Sequence, residues 1–254
     1  MTTRGAGATT GVQESLVERQ GRWQELRRKA AGLVQEKGEG VLRPAVAISR
    51  QAGAGGSSLA RLVGRRLGWQ VLDRELLAAL AEDLSLDPEM LCMVDETRLS
   101  WFGESVVNLI EPHVLSQDEF LARLVKLLFL TLAHRPAVIV GRGAHLFLPR
   151  ETTLAVRVVA EEADRIDYIA KLRSLDHHEA RRWVEETDAA RATFVRHHFK
   201  MDVAAPQGYD LVVNTSRMHV DQAAGLVVWL CRMRAFATPV QGETPGATLV
   251  RPAV

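Results

Sequence analysis

The chain has little cysteine, little lysine, no surplus charge and no long apolar run, and each shortage closes off a class of protein. Its two cysteines among 254 residues, Cys92 and Cys231, are far apart. They make neither a metal-ligand spacing nor a disulfide framework, so a reduced, cytoplasmic setting is expected. No stretch reaches the roughly 18 consecutive apolar residues of a membrane span, and the opening MTTRGAGATTG has no apolar signal-peptide core. A net charge of +1 gives no global case for binding nucleic acid or a membrane surface. Five of the 32 basic residues are Lys and the other 27 are Arg, so each arginine must be judged by its position. What remains, 47% hydrophobic and 25% charged residues, is the composition of a globular chain that buries a real core. Its length suits one large domain, and it shows no internal repeats.

The densest signal lies in VAISRQAGAGGSSLAR, residues 46–61. An apolar run (Val46–Ile48) enters a turn holding Gly53, Ala54, Gly55 and Gly56. Two hydroxyls (Ser57, Ser58) follow, and then a helical pattern (Leu59, Leu62, Val63, Leu67). Strand, glycine turn and helix in that order make a cradle for phosphate. Glycines let backbone N–H groups approach an anion, the helix N-terminus adds partial positive charge, and a serine there can ligate Mg²⁺. The spacing nearly fits G-x-x-x-x-G-K-[ST]. However, Gly56 stands where the lysine belongs and Arg50 where the first glycine belongs. The bland alternative is a glycine-rich turn with no ligand.

Residues 1–12 read as disordered and 13–37 as an amphipathic helix carrying Leu16, Trp23, Leu26, Ala30 and Leu33 at helical spacing. That helix packs on the core or forms a homodimer seam; its short pattern favours the core. Short apolar runs at Ala45–Ser49, Gln70–Leu72, Ala137–Val140, Leu154–Val159 and Leu211–Val213 read as buried strands. Helices are expected at 57–68, through most of 74–135 with a strongly apolar Phe120–Leu132, at Glu161–Leu172, at about 176–199 and at Val220–Phe236. The tail from Ala237 reads as loose. Strands alternating with helices predict a three-layer α/β domain with a parallel sheet. In such sheets ligands sit beyond the carboxyl ends of the strands. Arg50, Asp73, Arg142 and Asn214 lie at or just past those ends.

Each of these residues also has a plain structural reading. Asp73 could cap a helix starting at Arg74, and Arg142 could sit in a surface turn. Arg181, Arg182 and Arg191 could form a solvated face paired with Glu179, Glu185 and Glu186. His177-His178 and His197-His198 do not complete a zinc set, because adjacent helical side chains diverge. Trp101, Trp183 and Trp229 are expected in packing.

The chain resembles the cytidylate kinase-like family, a branch of the P-loop nucleoside monophosphate kinases. The resemblance runs over about 43–232 and rests on AVAISRQAGAGGSSLARLVGRRLGWQVLDRELL (45–77), AVIVGRGAHLFL (137–148), VRVVAEEADRIDYIAK (156–171) and EETDAARATFVRHHFKMD with YDLVVNTSRM (185–218). It implies a P-loop NTPase fold over 41–236, a helical acceptor-binding insert at about 74–135 and a lid at about 173–206. It implies ATP and Mg²⁺ as cofactors and transfer of the γ-phosphoryl group to CMP, dCMP or a related acceptor. By the same resemblance the loop 50–58 holds the donor phosphates, Ser57 ligates Mg²⁺ and Ser58 helps hold phosphate. Asp73 opens the acceptor site or holds a metal-bound water, and Arg142 points at acceptor phosphate. The lid brings Arg181, Arg182, Asp188 and Arg191. An Arg-lined site suits phosphoryl transfer, which asks mainly for positioning and charge neutralisation. Two departures stand out: Gly56 replaces the loop lysine, and Gly143 stands where the family's G-R-D has its acid. Arg50 or a lid arginine is expected to supply the missing charge. Another small acceptor, or a non-catalytic nucleotide sensor, are the alternatives.

Overall fold

The computed structural model describes residues 42–73, 117–234 and 236, together with Arg28 and Gly32. The rest of the expected 13–37 helix, the segment 74–116, Cys92, Trp101 and the tail lie outside the described residues.

Five parallel strands form one sheet: β1 (Ala45–Arg50), β2 (Gln70–Leu72), β3 (Ala137–Val140), β4 (Thr153–Val159) and β5 (Leu211–Asn214), in the order β2-β3-β1-β4-β5. Ala45 stands opposite Ala137 on one side and Thr153 on the other. The strands are apolar on both faces because both faces are covered. Ala45, Ala47, Ala137 and Ile139 face α2 (Gln117–His134), whose Leu124, Leu128 and Leu132 recur every fourth residue. Val46, Ile48, Val138, Val140, Leu154, Val156 and Val158 face the opposite layer of α1 (Gly56–Leu67) and α6 (Val220–Met233). Truncating any of the three α2 leucines to Ala should cost about 2–5 kcal/mol, since all are essentially fully buried.

Between β3 and β4 lies a short helix, α3 (Ala144–Phe147), to which the sequence pattern assigned no element. After β4 come α4 (Glu162–Arg173) and α5 (His177–Phe199). Asp176 starts α5 through a capping box with Glu179. The apolar seam of this helix pair, Ile166, Ile169, Ala180 and Val184, closes on Ala52 in the loop after β1. The hairpin is therefore seated on the glycine loop by a small hydrophobic core of its own.

The strand order reverses direction at β1, so the carboxyl ends of β1, β3 and β4 open a crevice at the switch point. Among the described residues no helix is long and apolar enough to cross a membrane.

Candidate functional site

The loop from Gln51 to Gly55 is held by partners on three sides. Gln51 N–H donates to Val158 O, which prolongs β1 along β4. Ala52 N–H donates to Asp188 Oδ1 at 2.7 Å, and Thr215 Oγ1 donates to Ala54 O at 3.0 Å. Gly53 has φ +77°, and a Cβ there would stand 2.5 Å from Arg165 O. Only glycine satisfies both constraints. Gly55 caps α1 at φ 75° without any side-chain cap, and no acid lies in the helix's first turn. Among the described residues no acceptor takes the amides of Gly53, Gly55, Gly56, Ser57 and Ser58. That row of N–H groups at a helix start is an anion cradle.

The missing lysine has a steric explanation. A Cβ on Gly56 would lie 2.5 Å from Arg50 Cβ and 2.7 Å from its Cγ. Further along, the Arg50 guanidinium fills the space beside Gly141, where a Cβ would collide with Nη1. The Arg50 side chain thus runs across the position a residue-56 side chain would need and carries its charge to the turn after β3. The two sequence departures are one packing solution: an arginine at 50 requires a glycine at 56.

The turn after β3 is strained. Gly141, Arg142 and Gly143 take φ of +84°, +53° and +69° in succession. For Arg142 the left-handed region costs about 1 kcal/mol. Phe199, at the end of α5, packs over Gly143, 2.5 Å from where a Cβ would be. An acid at 143 would have to displace the Phe199 ring and adopt a positive φ.

On α5, Asp188 is a hub. Its Oδ2 accepts from Arg165 Nη1 at 2.5 Å, while Arg165 Nη1 also donates to Ala52 O at 3.3 Å. Arg191 Nη1 lies 3.7 Å from Asp188 and donates to Arg50 O at 3.2 Å. Arg165 is nearly buried, so its charge needs that carboxylate.

Beside the loop lies a cleft of about 430 Å³. Arg50, Arg142, Arg157 and Arg191 line it, with Glu186 as the acid among its lining residues. Its floor is a buried polar group. Arg157 Nη1 donates to Ser49 Oγ at 2.7 Å and its guanidinium lies 5.8 Å from the Tyr209 ring centroid. Tyr209 Oη lies 2.9 Å from Val203 O and 3.2 Å from Ser49 Oγ. His145 stacks on Tyr209 with centroids 4.7 Å apart. Burial first, then the charges of Arg157 and Arg150, push the His145 pKa from 6.5 down to about 4, so the ring is neutral at pH 7. Burial also raises the Tyr209 hydroxyl, and raises the Cys231 thiol to about 12.

The fold brings some expected residues together and leaves others apart. Arg50, Arg142 and Arg191 share the cleft. Asp188 binds the loop itself through the Ala52 amide. The Ala54 amide is turned inward onto Gln51 O at 3.3 Å and does not join the cradle. Arg181 pairs with Glu162 at 2.8 Å on the exposed side of the hairpin, and Arg182 is exposed; neither lines the cleft. Asp73 follows β2, the edge strand, and is also outside the cleft lining. Sequence reading missed Arg157, His145, Tyr209, Arg165 and Thr215. A charged Arg157 within an apolar strand run was the one visible signal.

The residues fit the implied donor and its ion. Ser57 presents an exposed hydroxyl in the first turn of α1, next to the free amides, with no competing acid in that turn. Mg²⁺ takes few protein ligands and relies on phosphate oxygens and water. Among the described residues no three His, Cys, Asp or Glu side chains gather into a metal site.

The family model described as the cytidylate kinase-like family matches residues 45–217. Among curated proteins, none matches the sequence. An uncharacterised protein from Eubacterium ventriosum superimposes with a TM-score of 0.54 at 15% identity, covering 75% of this chain and 99% of that one. A shikimate kinase from Bacteroides thetaiotaomicron superimposes with a TM-score of 0.42 at 14% identity, covering 74% and 98%.

Proposed function

This chain belongs to the cytidylate kinase-like family, and from that premise we propose that it is an ATP-dependent phosphotransferase, moving the γ-phosphoryl group of ATP to CMP, dCMP or a related small acceptor. The observation that carries the proposal is the Arg50 side chain lying across Gly56 with its guanidinium at Gly141. It sets a cation where the loop would otherwise lack one, between the anion cradle and the Arg-lined cleft.

In this reading the amides of Gly53 and Gly55–Ser58 take the donor phosphates, aided by the α1 dipole. Ser57 would hold Mg²⁺ and Asp73 would reach it through a water; the ion would screen the phosphate charge. Arg50 and Arg191 neutralise charge that moves between donor and acceptor, and Arg142 holds the acceptor's phosphate. Asp188 is a positioning residue: it ties α5 to the loop and orients Arg191. The segment of about 173–206, chiefly α5, serves as the lid that keeps water from the transferring group. The acceptor-binding insert is the part of 74–135 that precedes α2, because α2 itself covers a face of the sheet. The setting is cytoplasmic, and the N-terminal segment is the candidate contact for a homodimer.

A second acceptor class is favoured by one observation. Phe199 fills the space over Gly143, so an acid of the G-R-D type plays no part in base recognition. A coupled ADP-release assay over the nucleoside monophosphates and a panel of small hydroxylated acids decides between them. Acceptor-dependent ADP release with CMP or dCMP foremost supports the proposal. Release with another acceptor alone moves the acceptor. Tight Mg·ATP binding without turnover on any acceptor makes the protein a nucleotide sensor.

A further inference from the structure

Arg157 lies in the middle of β4, 8% exposed, and lines the cleft. Buried arginines normally have a carboxylate partner, because an uncompensated buried charge costs several kcal/mol even after relaxation. Arg165 obeys that rule through Asp188. Arg157 does not: among the described residues its contacts are the Ser49 hydroxyl and the Tyr209 ring, both neutral. These contacts hold a guanidinium in place without discharging it. A second polar group waits beside it. His145 is 6% exposed, lines the same cleft, and its Nε2 meets no hydrogen-bond partner. A positive fork and an unused imidazole nitrogen, both buried and stacked around one tyrosine, are arranged for something that arrives.

We infer that Arg157, positioned by Ser49 and Tyr209 and flanked by His145, is a specificity-determining residue that receives an anionic oxygen group of the acceptor, a phosphate or a carboxylate, at the floor of the cleft. The inference rests on the cleft being the acceptor site of the phosphotransferase proposed above. The sheet register explains why the position is special. Ser49 pairs with Arg157 across β1 and β4, so the last turn of β1 both starts the donor loop and fixes the acceptor floor. A planar fork matches carboxylate and phosphate oxygens, whereas an ammonium does not.

The test uses the full chain with Arg157→Met and Arg157→Lys. Calorimetric titrations use CMP, cytidine, inorganic phosphate and malonate, each with and without saturating Mg²⁺ and a non-hydrolysable ATP analogue. Removing the partner of a buried charge contact typically costs 2–5 kcal/mol, so Arg157→Met should weaken the anionic probes by at least about 30-fold. Cytidine and ATP-analogue affinities should stay within about twofold. Phosphate against malonate tells which anion the floor prefers. Arg157→Lys should recover part of the loss. The melting temperature of ligand-free Arg157→Met should be unchanged or raised, because the substitution removes a buried charge that lacks a counter-charge. Unchanged affinity for every anionic probe, with a lowered melting temperature, makes Arg157 a structural prop and overturns the inference. If CMP fails to bind but phosphate or malonate binding depends on Arg157, the inference stands and the nucleotide acceptor falls. If CMP binds equally to both proteins, the reverse holds.

Discussion

The donor loop and the acceptor cleft adjoin each other but are built from different materials. The loop is made of backbone: glycine φ angles, unpaired amides and a helix end. The cleft is made of side chains from β1, β4, α3, α5 and the segment before β5, brought together by sheet register. A backbone site must be rigid to exist at all, so its residues serve fold and function together. A side-chain site sits on a scaffold that stands without it, so its residues can fail singly. Substitutions in the loop should therefore damage stability and binding in parallel, and substitutions in the cleft should separate the two.

The largest effect is expected at Gly53. Gly53→Ala forces a Cβ into Arg165 O at a positive φ. It should cost about 2–4 kcal/mol and remove Mg·ATP binding together. Urea unfolding and nucleotide titration on the same sample check this; a stable variant that still binds ATP would break the contrast.

Next is the pH dependence of the cleft. Burial holds His145 near pKa 4 in the folded chain, below its usual 6.5. As pH falls the unfolded chain takes up the proton first. The stability tied to His145 is intact above about pH 6.5 and drains away toward pH 4, at up to about 1.4 kcal/mol per pH unit. The difference between wild type and His145→Phe in urea midpoints at pH 7.5 and 5 isolates that share. Equal slopes for the two proteins would remove His145 from the account.

Asp188→Ala should cost about 1–3 kcal/mol, because it strands the nearly buried Arg165 and frees the Ala52 amide. Hydrogen exchange at Ala52 should rise with it. The smallest effect is expected at Arg181, whose pairing with Glu162 is exposed. Arg181→Ala should change stability by under about 0.5 kcal/mol and turnover by under about twofold, whereas Arg191→Ala should reduce turnover sharply. A large loss at Arg181 would mean that α5 swings it into the cleft.

This contrast also explains what could be read from the residues alone. The glycine loop, the five strands and the seat of Arg50 and Arg142 at strand ends were all legible, because each leaves a local pattern in the chain. The short α3 was not, since Ala144–Phe147 carries too few residues for a helical period. Arg157, His145 and Tyr209 left no joint pattern; they are separated in sequence and meet through parallel register. Arg181 and Arg182 were drawn into the site by the family resemblance, whereas their charges and the neighbouring acids read equally as a solvated face. The reason for Gly56 was also hidden, because its partner Arg50 is six residues away and the collision exists only in three dimensions.

The central claim is that Arg50 occupies the place and supplies the charge of the absent loop lysine. Steady-state turnover with the best acceptor, measured for Arg50→Ala, Gly56→Lys and the double variant Arg50→Gly/Gly56→Lys, tests it most directly. The account predicts a loss of at least about 100-fold in kcat for each single variant, with a smaller change in KM for ATP. It predicts partial recovery in the Arg50→Gly/Gly56→Lys pair, since only removal of the residue-50 Cβ along with the rest of that side chain makes room for the lysine. Additive losses in the double variant, or an Arg50→Ala enzyme with unchanged kcat, would contradict it.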